Sequence, residues 1–106
     1  MSGRVIWRAI AEADLTEAYL YIGAESPEAA ERLLDAVGEA VALLLENRHA
    51  GSPREFRSPR ARGIRSWPPQ GFPNHLIFYK VDGEDIEVVR FLSGARDLPR
   101  CLEEEP

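Results

Sequence analysis

Residues 75–92 constrain this chain more than any other stretch. They read HLIFYKV, then Asp82-Gly83, then EDIEVVRFL. Two runs rich in Ile, Val, Phe and Tyr flank an Asp-Gly pair, which is the pattern of a β-hairpin closed by a two-residue loop. With Asp82 and Gly83 as the central residues of a type I′ turn, Val81 is expected opposite Glu84, Tyr79 opposite Ile86 and Ile77 opposite Val88. The period of two puts those pairs on one face, the expected core side. The other face would pair Lys80 with Asp85, Phe78 with Glu87 and Leu76 with Val89, with the Lys80–Asp85 pair solvated.

A lone hairpin cannot bury its own face, so the rest of the chain must cover it. Arg4–Arg8 (RVIWR) reads as a first strand, with Trp7 as core filling. Ala11–Gly23 reads as an amphipathic helix with Leu15, Ala18, Tyr19 and Ile22 on its apolar side. Glu12, Asp14 and Glu17 are expected on its solvated face, near the positive end of the helix dipole. Ser26-Pro27-Glu28 is a helix start: a capping hydroxyl, a proline at the first position, an acid in the first turn. The second helix carries Ala30, Leu33, Leu34, Val37, Val41, Leu44 and Leu45 on one stripe and should end between Asn47 and Gly51. Only a few residues join the helices, so they should lie antiparallel.

Ser52–Arg62 is polar and proline-containing and reads as an irregular surface loop. Gly63–Trp67 is a short strand candidate, ended by the stiff Pro68–Pro73 segment because consecutive prolines cannot donate ladder hydrogen bonds. After the hairpin, Gly94 permits a tight corner and Asp97 can cap a short final helix through Leu102. The expected architecture is one α+β domain over residues 1–106, in the order β-α-α-β-β-β. An antiparallel helix pair lies on a small, mainly antiparallel sheet, and a short C-terminal helix follows.

Composition narrows the function classes. The chain has 106 residues, 44% of them hydrophobic, and a net charge of −5. That balance argues against a broad nucleic-acid-binding surface, although residues 48–65 carry six arginines against the single acid Glu55. The one cysteine, Cys101, allows no internal disulfide and fits a reduced compartment. No apolar run is long enough for a bilayer and no secretory leader is visible, so a cytoplasmic location is expected. His49 and His75 have no neighbours at zinc-ligand spacing, and neither a metal nor another cofactor is expected.

Several segments, in order, resemble the RelE/ParE family of toxins from type II toxin–antitoxin systems. They are Ala13-Asp14-Leu15, the Leu44–Gly51 helix end, Gly63-Ile64-Arg65, Ile77–Val81, and Val89-Arg90-Phe91-Leu92-Ser93-Gly94-Ala95-Arg96-Asp97. The Gly-Ile-Arg and Gly-Ala-Arg-Asp pieces are most similar to the ParE branch, which often has His where this chain has Ser93. The resemblance implies a bacterial toxin held in a hetero-oligomer with a cognate antitoxin. ParE-like members poison DNA gyrase, whereas RelE-like members cut messenger RNA on the ribosome.

Chemistry separates those two outcomes. RNA cleavage by side chains needs a proton-transferring group and convergent cations. The resemblance places such groups at a C-terminal Tyr or His, which Pro99–Glu103 lacks, and at an arginine before Ile77, where this chain has Leu76. Arginine itself stays protonated. Of the remaining shuttles, Tyr79 is expected to be packed with its hydroxyl satisfied, and His75 to have a surface role. The expectation is therefore a gyrase-binding inhibitor without catalytic residues. The alternatives are a ribosome-dependent endonuclease and a non-toxic antitoxin-binding module. Arg65, Arg90, Arg96 and Asp97 are the expected contacts with target or partner; Arg96 and Asp97 could equally serve the corner itself. Tyr19, Phe91, Leu92 and Leu102 are the expected antitoxin contacts, exposed when the partner is absent. Neither sequence-specific DNA binding by this chain nor a membrane is expected.

Overall fold

In the computed structural model, residues 3–56 and 59–93 are described. Two helices cover one face of a five-stranded sheet. The strands are β1 (Val5–Trp7), β2 (Ser52–Pro53), β3 (Arg65–Trp67), β4 (His75–Asp82) and β5 (Asp85–Ser93). The helices are α1 (Ala9–Gly23) and α2 (Pro27–Glu46), and a 3-10 turn spans Pro59–Ala61. The sheet order is β1-β5-β4-β3-β2, with β1 parallel to β5 and every other pair antiparallel. The expected α+β architecture is thus present. The short final helix, Arg96, Asp97 and Leu102 lie outside the described residues.

The hairpin forms with a different turn. Asp82 pairs with Asp85, so Gly83 and Glu84 are the central residues. Gly83 has φ +63° and no other described residue but a glycine has positive φ, which excludes type I′ and suits type II′, with glycine first. Val81 therefore faces Ile86, Lys80 faces Glu87, and Tyr79 faces Val88. A shift of two residues leaves each side chain on its expected face.

Beyond Tyr79 the register changes again. Phe78 pairs with Arg90, leaving Val89 as the extra residue of a β-bulge. The bulge inverts the alternation of faces beyond it, so residues three apart on β5 share a side. Val88 joins Ile77, Phe91, Ala11, Leu33 and Val37 beneath the helices. Val89 joins Phe78, Leu92, Ala61 and Ile64 on the opposite face. That second core is covered by the segment expected to be an irregular loop: β2 pairs with β3, and Ala61 in the 3-10 turn is fully buried. Proline fits in β2 because the strand is the sheet's edge.

The Ser26 hydroxyl accepts the Ala29 N–H at 3.1 Å, capping α2 as expected. Along α2, Ala30, Leu33, Val37, Ala40 and Leu44 are buried. Leu34 belongs to the outer side. α1 is less simply amphipathic. Ala11 is buried, Leu15, Ala18 and Ile22 pack at the core margin, and Leu20 and Tyr21 stand out at 64% and 80% exposure. Its first turn follows directly from β1, and Arg8 bridges the two through its Nε to Glu87 on β5 at 3.0 Å.

Candidate functional site

Of the three arginines expected to meet a target or partner, the two within the described residues, Arg65 and Arg90, are engaged by the chain's own elements. Arg90 is only 9% exposed. Its Nε and Nη2 donate to the Asp14 carboxylate at 2.7 and 3.0 Å in a two-pronged pair. Asp14 Oδ2 also accepts the Phe91 N–H at 3.1 Å. β1 ends at Trp7, opposite Val88, so β5 is an edge beyond that point. Asp14 supplies the acceptor that a longer β1 would have supplied. The expectation that Asp14 is one more solvated helix carboxylate is therefore corrected: it pins α1 to the β5 edge. No periodicity in the sequence announces that pairing, because the partners are 76 residues apart.

Arg65 sits on β3, beside the end of α2. Its Nη1 donates to the carbonyls of Gly51 at 2.7 Å and His49 at 3.0 Å. Tyr79, in the neighbouring strand, completes this knot. Its hydroxyl accepts the Gly51 N–H at 2.9 Å and donates to the Arg48 carbonyl at 2.8 Å. Burial pushes the phenol above its usual 10.0, partly offset by the Gly51 N–H and the Arg65 charge. Gly51 is required here: a Cβ would lie 2.5 Å from the Tyr79 hydroxyl. Tyr79 is packed with its hydroxyl satisfied, as expected. His49 is exposed beside the knot.

The residues expected to be uncovered without a partner behave differently from one another. Phe91 and Leu92 are each 2% exposed and belong to the two cores, so the expectation of exposure is corrected for both. Neighbouring residues of a strand point to opposite faces, and both faces of this sheet are covered. Tyr19 is half-buried, and its hydroxyl donates to Glu31 of α2 at 2.8 Å, a bond that also raises its pKa. Among the described residues, the large apolar side chains left outside are instead Leu20, Tyr21, Leu34, Leu43, Ile6 and Ile10. Composition alone could not choose among them, because they occur in the same apolar runs as the buried residues.

Near the Asp14–Arg90 pair a cleft of about 420 Å³ opens between α1 and the ends of β4 and β5. Glu17, Tyr21, Asn74, His75 and Phe91 are among its walls. His75 lies face to face with Phe91, ring centroids 5.5 Å apart, and edge-on to Phe72 at 6.3 Å. Burial pushes the imidazole below its usual 6.5. The expected surface role for His75 thus becomes a half-buried position in a cleft wall. Among the described residues there is no group of His, Cys, Asp and Glu placed to hold a metal ion. No described helix is long and apolar enough to cross a membrane.

Comparison with known proteins adds an independent line. The sequence model of the family described as ParE toxin of type II toxin–antitoxin system, parDE, matches residues 5–98. Y4kP of Sinorhizobium fredii, provisionally named a toxin, is 27% identical over 99 residues, covering 93% of this chain and 96% of that protein. A solved structure of the chromosomal ParDE toxin–antitoxin system from P. aeruginosa contains a chain with 27% identity and a TM-score of 0.66. The match covers 88% of this chain and 96% of the other.

Proposed function

Because this chain belongs to the ParE toxin family of type II toxin–antitoxin systems, we propose that a cognate antitoxin keeps it silent. When released in the cytoplasm, it inhibits DNA gyrase by binding it, and does not cut RNA. The observation that carries this reading is the commitment of the Tyr79 hydroxyl. RNA cleavage by side chains requires a group free to take and return a proton at the reacting phosphate. Tyr79 already accepts from Gly51 and donates to Arg48, and burial raises its pKa. His75 stacks flat on Phe91 within a cleft walled by α1. Arg65, beside the Tyr79 knot, is directed at carbonyls of the α2 exit.

In this reading Arg65 and Arg90 act first as positioning residues. They set the α2 exit and the α1–β5 seam that a partner meets, and Arg96 and Asp97 are direct contacts. The test is a pair of assays on one purified preparation. Gyrase supercoiling should be lost as the chain is added, while messenger RNA on programmed ribosomes stays intact. Cleaved RNA with unimpaired supercoiling would reverse the assignment. Inactivity in both, with tight antitoxin binding, would mean a non-toxic binding module.

A further inference from the structure

We propose that the arginine-lined edge formed by β2 and β3 receives an acidic segment of the antitoxin. This deepens the reading above, on which it rests for a polypeptide partner, by giving the chemistry of the segment that meets the α2 exit. Three observations carry it.

The first is uncompensated charge. Arg4, Arg8 and Arg90 each face a carboxylate, at 3.6, 3.0 and 2.7 Å. Among the described residues, Arg48, Arg54, Arg62 and Arg65 face none. Arg48 and Arg65 each place Nη1 on backbone carbonyls, and the Nε and Nη2 donors of Arg65 are uncommitted. The Arg54 guanidinium lies 5.8 Å from the centre of the Phe78 ring. Arg62 is exposed in the turn before β3. A carbonyl or a ring holds a guanidinium in place without cancelling its charge.

The second is placement. Pro53 pairs with Arg65, and the Arg54 N–H turns inward to the Ile64 carbonyl at 2.9 Å. The outward backbone position of β2 therefore falls on Pro53, which has no N–H to offer an added strand. Recognition at this edge rests on side chains. Arg65 is level with Tyr79, which packs with Leu44 on the helix side, and Arg54 covers Phe78 on the far side. A segment crossing the edge meets guanidinium groups on both sides of the sheet.

The third is the kind of anion. Residues 48–65 hold six arginines and one acid, a local +5; the whole chain is −5, so the remainder carries −10. A short peptide with a few carboxylates lies within the basic edge, and a carboxylate matches the guanidinium fork. A nucleic-acid strand, charged at every step, would carry its phosphates past the edge toward that acidity and be repelled. Membership of a toxin–antitoxin family supplies the polypeptide, an antitoxin.

The probe is a short blocked peptide alternating glutamate with alanine, beside its glutamine twin and a single-stranded oligothymidylate of equal charge. Each is titrated into the full-length chain, and the arginine Nε–Hε resonances are followed. The glutamate peptide should shift those of Arg54 and Arg65 saturably. The glutamine twin should bind about ten-fold more weakly, and the oligothymidylate more weakly than the glutamate peptide. Arg54→Gln and Arg62→Gln should each weaken the glutamate peptide several-fold, the exposed Arg62→Gln with an unchanged thermal midpoint. Arg32→Gln, on the exposed side of α2, should not weaken it. Equal binding of the two peptides, tighter binding of the oligothymidylate, shifts confined to other residues, or unchanged affinity in the Arg54 and Arg62 variants would each overturn the proposal. So would a several-fold gain in the combined Glu103→Gln, Glu104→Gln, Glu105→Gln variant, which would make the chain's own tail the occupant. Self-association abolished by the Arg54 and Arg62 variants would make it a second copy, with the same consequence. No gyrase enters the titration, so the supercoiling assay tests the toxin reading separately.

Discussion

Asp14 does the work of two groups: it neutralises Arg90 and completes the ladder at Phe91. Removing it would take the two-pronged partner from a mostly buried guanidinium and the acceptor from a strand N–H. Breaking one side of such a pair costs about 3–5 kcal/mol, so Asp14→Ala should lower the urea midpoint strongly. A double-mutant cycle with Arg90→Met should recover a large coupling energy, since an apolar replacement of both partners leaves no unpaired charge. His75 supports a second prediction, on pH. Its folded pKa lies below the ordinary 6.5, so the unfolded chain binds the proton more readily. Its contribution to stability is fully present above pH 6.5 and is lost as pH falls from 6.5 through the depressed folded value. His75→Phe keeps a ring against Phe91 and should flatten that part of the stability–pH curve relative to wild type. Tyr79→Phe keeps the packing but leaves the Gly51 N–H and the Arg48 carbonyl without this partner. A loss of about 1–3 kcal/mol in chemical denaturation is expected.

Among the elements, α2 is the most regular, yet it carries a glycine in its interior. Gly38 lies on the exposed side, and a Cβ added there would meet nothing within 4 Å. Gly38→Ala should therefore stabilise the chain by about 0.5–1 kcal/mol, read as a raised thermal midpoint, by restricting the unfolded backbone and improving helix propensity. α1 has the opposite character. Its outward Leu20 and Tyr21 contribute little to the core, which fits a helix whose outer side is reserved for another chain. The β5 bulge is the third decisive element. It lets one strand supply Val88 and Phe91 to the helix side and Val89 and Leu92 to the far side, so a sheet this small serves two cores.

For the molecule as a whole, charge is divided by layer. The helix pair is strongly acidic, while arginines cluster between residues 48 and 65. Encounter of the helix pair with a cationic peptide should therefore slow as salt is raised from about 0.05 to about 0.5 M, with a smaller effect on dissociation. Stopped-flow association rates would measure it. The order of elements, the Ser26 cap, the antiparallel helix pair, the buried face of β4 and the family resemblance were all legible in the order of residues. These follow from local periods, caps and breakers, which act over a few residues and leave a readable pattern. Residue order alone placed the hairpin turn one residue early because Asp-Gly satisfies two turn types, and only the cross-strand register chooses between them. Tertiary structure alone decided the bulge, the burial of Phe91 and Leu92, the Asp14–Arg90 pair and the Tyr79–Gly51 knot. Each joins groups far apart in the chain, and a polar side chain carries no mark of a distant partner until packing excludes water and brings the two together.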